Sequence, residues 1–137
     1  EGIAVEMCVA QPPASHVIRA RGVMDKANPS QVEALKAATS RRVTLIQGPP
    51  GCGKTNTSIM LMQMLVQSNR GPVLATADSN IAVDNLVLGC SRVGLQVVRL
   101  GRHEASRHDL RQYNLTEKAK AAAPGMDMRS LWTTEKR

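Results

Sequence analysis

Apolar residues occur along this chain in short blocks, and a glycine, a proline or a polar cluster separates each block from the next. After a stretch (1–27) with little periodicity, read as a loop or the tail of a preceding element, Asn28-Pro29-Ser30-Gln31 has the form of a helix start. Asn caps, Pro takes the first helical position, and Gln stands three residues after the cap, where its side chain can reach back. Val32, Leu35 and Ala38 follow on one face. VTLIQ (43–47) is a short apolar run of strand type, the form taken when a parallel sheet buries a strand on both faces. The spacing predicts a helix from Asn56 to Gln67, ended by Arg70-Gly71-Pro72, then a strand at PVLATA (72–77). A helix through IAVDNLVLGC (81–90) closes at Gly94, and LQVVRL (95–100) reads as a third strand. The alternation α-β-loop-α-β-α-β predicts an α/β fold built on a parallel sheet with right-handed crossovers and flanking helices. Beyond Gly101 the chain turns charged and is expected to be helical from about 106 to 123, until Pro124-Gly125.

Between the first strand and the next helix lies the candidate chemistry. Gly48-x-x-x-x-Gly53-Lys54-Thr55, inside LIQGPPGCGKTNTS (45–58), fits the phosphate-binding loop G-x-x-x-x-G-K-[ST] in its strand–loop–helix setting. Gly48, Gly51 and Gly53 let backbone N–H groups approach an anion, and the helix that follows adds the positive end of its dipole. Lys54 supplies a compact charge for the β- and γ-phosphates, and the Thr55 hydroxyl supplies a hard oxygen for Mg²⁺. The nucleotide site therefore comprises Gly48, Pro49, Pro50, Gly51, Cys52, Gly53, Lys54, Thr55 and Asn56, with Lys54 and Thr55 carrying the chemistry and Cys52 as a small filler. The competing reading of these residues is a glycine-rich turn that happens to precede a helix.

Composition narrows the partners. Phe is absent, and Trp132 and Tyr113 are the single residues of their types, which argues against a base-stacking platform. The core must rest on aliphatic residues and seven Met. Cys8, Cys52 and Cys90 are isolated from one another, and His103 and His108 are off the i,i+4 spacing, so the sequence predicts neither a zinc site nor a disulfide framework. Free thiols agree with a reducing intracellular compartment, cytoplasmic or nuclear. No apolar run approaches the roughly 18 residues that span a bilayer, and no membrane association is expected. Of the net charge of +7, residues 92–137 contribute ten Lys/Arg against five Asp/Glu. A basic excess there suits a polyanionic partner as well as it suits a solvated surface. The chain begins at Glu1 rather than methionine and is expected to be a piece of a longer protein.

Three stretches, NPSQ (28–31), IQGPPGCGKTNTS (46–58) and GPVLATADSNIAVDNL (71–86), resemble in order and spacing the first three motifs of superfamily 1 helicases. The up-frameshift type of RNA helicase involved in nonsense-mediated decay is most similar, with senataxin-like helicases near it. VVRLGR (97–102) resembles the strand that follows in that family. The resemblance implies a P-loop NTPase of RecA-like fold, with 28–102 forming the front of the first RecA-like domain. It also implies that 103–137 begin a basic, partly helical accessory or stalk region. It makes ATP and Mg²⁺ the cofactors and single-stranded nucleic acid, RNA in preference to DNA, the partner.

The resemblance assigns Gln31 to the adenine edge, where an amide can donate and accept at once, beside its possible role as a cap. It assigns Ser79 and Asn80 to the strand backbone, where plain N-capping by Asp78 or Ser79 is the alternative. One departure stands out: Asp78 occupies a position usually held by proline, which would repel phosphate or, in a nucleotide kinase, end a strand as the magnesium-binding acid. No DE or DD strand end, arginine finger or second RecA-like half is visible. The expectation is therefore a helicase fragment, inactive alone, that needs a C-terminal half. A different P-loop NTPase (AAA-type ATPase or nucleotide kinase) and a non-catalytic remnant remain as alternatives.

Overall fold

The computed structural model describes residues 22–101 and 108–122. The expectations for residues 1–21, His103, the start of the helix expected at 106, and everything beyond 122 lie outside them. The chain divides into two compact units, residues 1–96 and 97–137.

In the first unit, three helices follow the apolar pattern. Helix α1 (Pro29–Ser40) opens with a complete capping box: Asn28 Oδ1 accepts from the Gln31 N–H at 2.9 Å, and Gln31 Oε1 accepts from the Asn28 N–H at 3.1 Å. Pro29 is accommodated because it lacks an N–H, and the first helical position has no intrahelical acceptor for one. Helix α2 (Lys54–Gln67) starts directly after Gly53, whose φ of 86° is the left-handed conformation that glycine adopts without penalty. It buries Thr57, Ile59, Met60, Leu61, Met62, Met64 and Leu65, so apolar side chains surround most of its circumference. A helix of that composition needs neighbours on more than one side. It packs against both α1 and α3 (Asn80–Arg92).

Val23, Leu35, Met60, Leu61, Met64 and Leu65 make one core, with Met24, Ala27, Ala38 and Val73 packed on its margin. Leu35 and Met64 are fully buried, each contributing about 1.5–3 kcal/mol of transfer free energy. Toward α3, the buried thiol of Cys90 lies 3.9 Å from Met62 Sδ, and burial pushes that thiol's pKa up. Both long helices end in the same way. Asn69 and Gly94 take positive φ of 55° and 80°, and Arg70 N–H and Leu95 N–H reach back five residues to Leu65 O and Cys90 O at 2.9 and 3.0 Å.

The expected sheet is not formed among the described residues. Residues 43–48 and 73–77 form neither helix nor strand, and their burial alternates with period two: 44, 46, 48, 73, 75 and 77 are half-buried, whereas 43, 45, 47, 74 and 76 are exposed. No ladder of backbone hydrogen bonds joins the segments. The run 43–47 was expected to be buried on both faces, but Val43 is 86% and Leu45 83% exposed. The physical reason is coverage. The half-buried positions face the helices, Val73 packing on the core, while nothing among the described residues covers the other side.

In the second unit, Arg99 and Asn114 form a single parallel bridge, Arg99 N–H donating to Tyr113 O at 2.7 Å and Leu115 N–H to Arg99 O at 3.1 Å. The continuous helix expected across 106–123 is divided. A 3₁₀ segment (His108–Tyr113) leads to Asn114, whose carbonyl accepts from Lys118 N–H at 3.0 Å and starts α4 (Leu115–Ala122). Asn is a poor interior helix residue, and Asn114 is held in the bridge to Arg99, so the helix starts only after it.

At the α2–α3 crossing, Gly89 leaves room for the Ile59 side chain, since a Cβ there would run into Cδ1 of Ile59. Gly89→Ala gains about 1 kcal/mol of helix propensity and loses about 1–3 kcal/mol to overpacking. We expect thermal unfolding to show a net loss, and the second change Ile59→Val, which deletes Cδ1, to recover most of it. A Gly89→Ala protein more stable than the parent would show the crossing to be loose.

Candidate nucleotide site

The loop between 47 and 54 folds around its own lysine. Lys54 Nζ donates to Gly48 O at 2.6 Å and to Pro49 O at 2.9 Å, and stands 3.9 Å from Cys52 Sγ. The ammonium thus joins the entry of the loop to the first turn of α2 and holds a positive charge within the curve. Cys52 N–H closes a turn onto Pro49 O at 3.4 Å. Gly51 and Gly53, both with φ of 80° or more, reverse the chain so that α2 can begin. A Cβ at Gly48 would stand 2.6 Å from Cys52 Sγ, so the thiol occupies the space that a side chain there would need. Cys52 is the small filler expected, and its sulfur is exposed.

The first turn of α2 braces the loop from the other side. Thr57 N–H and Thr57 Oγ1 both donate to Gly53 O, at 2.9 and 3.1 Å, and Ser58 Oγ donates to Lys54 O at 3.1 Å. Thr57 is buried, and the motif reading missed it. Its signal was a hydroxyl residue three positions after the lysine, on the face that turns inward. Thr55 and Asn56 are exposed in the same turn, as are Pro49 and Pro50 on the loop. A helix N-terminus with a lysine and exposed hydroxyl at its first two positions is suited to a phosphate group.

Gln31 is brought to this loop. Its Nε2 lies so close to Gly53 that a Cβ on that glycine would be 2.7 Å away. The two readings of Gln31 prove compatible in space, because Oε1 serves the cap of α1 while Nε2 is carried to the loop. Gly53 is thus constrained twice, by its left-handed backbone and by the amide that lies over it.

Ser79 and Asn80 lie at the start of α3. Ser79 Oγ accepts from Ala82 N–H at 3.2 Å, so the capping alternative holds for Ser79. Asn80 and the preceding Asp78 are exposed, and Asp84, one turn further on, is buried. Among the described residues no group of three or more His, Cys, Asp or Glu could hold a metal ion, and no helix is long and apolar enough to cross a membrane.

Comparison with known proteins agrees with this geometry. Residues 26–131 match the model of a family described as AAA domain. A regulator of nonsense transcripts 1 homolog from Drosophila melanogaster is 51% identical over 73 residues, 53% of this chain and 6% of the relative. The regulator of nonsense transcripts 1 of Caenorhabditis elegans is 49% identical over 73 residues, 53% of this chain and 7% of the relative. The ATP-dependent helicase upf1 of Schizosaccharomyces pombe is 44% identical over 93 residues, 64% of this chain and 10% of the relative. The chain therefore spans a tenth or less of the length of these relatives. Identity over 73 to 93 residues reaches far beyond the phosphate-binding loop. Over the matched residues the chain is similar to regulators of nonsense transcripts 1 and to the ATP-dependent helicase upf1, and it belongs to this AAA domain family.

Proposed function

We propose that this chain is the front of the motor domain of an ATP-dependent nucleic-acid helicase that acts on single-stranded RNA. The observation that carries the reading is the bridge from Lys54 Nζ to Gly48 O and Pro49 O, with the Gln31 amide lying over Gly53 beside it. A phosphate-binding cation and an amide suited to a base edge converge on one loop. The segments 43–47 and 72–77 are strands of a RecA-like parallel sheet in the longer protein. The open face of Val43, Leu45 and Leu74 is the feature that supports this.

In this reading the loop amides and Lys54 hold the β- and γ-phosphates of ATP. The ammonium already rests on two loop carbonyls, so it is kept at the loop while its remaining proton turns to the phosphate. The exposed Thr55 hydroxyl fits Mg²⁺, a hard cation that keeps several waters and takes one or two protein oxygens beside those of the nucleotide. The metal would supply charge neutralisation at the phosphates. Ser79 and Asn80 meet the strand backbone through Asn80 and the first N–H groups of α3, since the Ser79 hydroxyl is engaged as the cap. Hydrolysis also calls for an acid that orients water and for cations that meet the developing charge. In this reading a second helicase half supplies them, and the 137-residue chain alone turns over ATP no faster than background.

RNA-stimulated phosphate release by the full-length protein tests this. Lys54→Ala should lower turnover by at least about 10²–10³-fold, the scale of losing one preorganised charge donor, while the circular dichroism spectrum is retained. Unchanged turnover in that variant would remove the proposal. Asn80→Ala should weaken single-stranded RNA binding by about 1 kcal/mol, the scale of one hydrogen bond, and leave ATP affinity nearly unaltered. Equal losses of RNA and ATP binding would instead indicate a folding defect.

A further inference from the structure

We propose that Asn28 is a positioning residue for base selectivity, because its backbone N–H fixes which end of the Gln31 amide faces the nucleotide. The inference rests on the reading of Gln31 as a base contact. Asn28 is exposed, yet it engages Gln31 twice. The Gln31 N–H donates to Asn28 Oδ1 at 2.9 Å, which ties down the backbone, and Asn28 N–H donates to Gln31 Oε1 at 3.1 Å, which ties down the side chain. An N–H accepts nothing, so the oxygen of the amide must be the end that meets it, and Nε2 is the end carried to Gly53.

Orientation matters because the two ends of an amide have opposite hydrogen-bonding characters. Adenine presents an acceptor at N7 beside a donor at N6, whereas guanine presents two acceptors, N7 and O6. The orientation set by Asn28 leaves Nε2 to donate to N7, and Oε1 keeps a second lone pair for the adenine N6 amino group. Guanine would set its O6 against that same oxygen. Turning the amide over opposes like to like at both adenine positions. The capping box therefore prepares the amide for adenine before the nucleotide arrives, and a prepared contact avoids the ordering cost that a free glutamine side chain would incur on binding.

The N–H can be removed with little disturbance of the backbone. Asn28 has φ of −73°, which proline adopts, and Ala27 at φ −95°, ψ 143° is in the extended region that a residue before proline prefers. Asn28→Pro deletes both the side-chain cap and the N–H, whereas Asn28→Ala deletes the side-chain cap and keeps the N–H. The difference between the two variants isolates the contact to Gln31 Oε1.

The test measures kcat/KM for ATP and for GTP in the full-length protein, with single-stranded RNA present. Asn28→Pro should lower the ATP-to-GTP ratio by about 2- to 12-fold, the range of one hydrogen bond, through KM and with kcat for ATP held. Asn28→Ala should lower thermal stability and keep the ratio. An unchanged ratio in Asn28→Pro, or an equal loss in Asn28→Ala, overturns the proposal. Gln31→Ala separates this from the reading beneath it. If Gln31→Ala leaves the ratio unaltered, Gln31 does not contact the base and both fail. If it lowers the ratio while Asn28→Pro does not, only the positioning role fails. Should Asn28→Pro not fold, hydrogen exchange at the Asn28 amide of the unmodified protein decides the matter: protection retained with ATP bound supports the lock, and protection lost on ATP binding overturns it.

Discussion

A single ammonium group organises this site. Lys54 Nζ spans from the start of α2 to the carbonyls of Gly48 and Pro49, and the remaining features of the loop serve that closure. Gly51 and Gly53 turn the chain tightly enough to bring the lysine back. Thr57 anchors Gly53 O from below, and Gln31 covers Gly53 from above. The loop is thereby held between α1 and α2, and both helices are in turn fixed by the core of Leu35, Met60, Leu61, Met64 and Leu65. Core packing and site geometry are linked through α2, which begins with Lys54 and runs on as the most deeply buried helix of its unit.

This arrangement was readable from the sequence where its causes are local. The capping box at Asn28 and Gln31, the start of a helix after Gly53, and the left-handed end at Gly94 each follow from a few neighbouring residues, and each is present. The sheet is a different matter. A strand is stabilised by partners distant in the chain, and the apolar character of VTLIQ shows that it prefers burial without saying what would bury it. Among the described residues one side of 43–47 is covered and the other is not, leaving Val43 and Leu45 exposed. Within the described part of the helix expected across 106–123, the run is broken at Asn114, which is held in the bridge to Arg99.

The candidate site shows the same division. Spacing alone identified Lys54 and its glycines, because a phosphate-binding loop is continuous in sequence. Thr57 was missed because its importance depends on which way a helical side chain turns. Gln31 was ambiguous because cap and base contact use the same amide, and only three-dimensional placement shows that one end can serve each role. Ser79 resolved toward capping, its hydroxyl accepting from Ala82 N–H.

The central claim, that nucleotide phosphates are held in the curve closed by Lys54, is tested most directly at Cys52. Its exposed sulfur stands 3.9 Å from Lys54 Nζ, whereas Cys90 is buried with a raised pKa and should react slowly under all conditions. Alkylation of the full-length protein by iodoacetamide, followed peptide by peptide with mass spectrometry, reads the loop itself. The account predicts that saturating ATP–Mg²⁺ slows modification of Cys52 by about tenfold or more, as expected when ligand occupancy leaves few loops open. It also predicts that Lys54→Ala removes this protection. Modification of Cys52 at one rate with and without saturating ATP–Mg²⁺, in protein that still hydrolyses ATP, would contradict it.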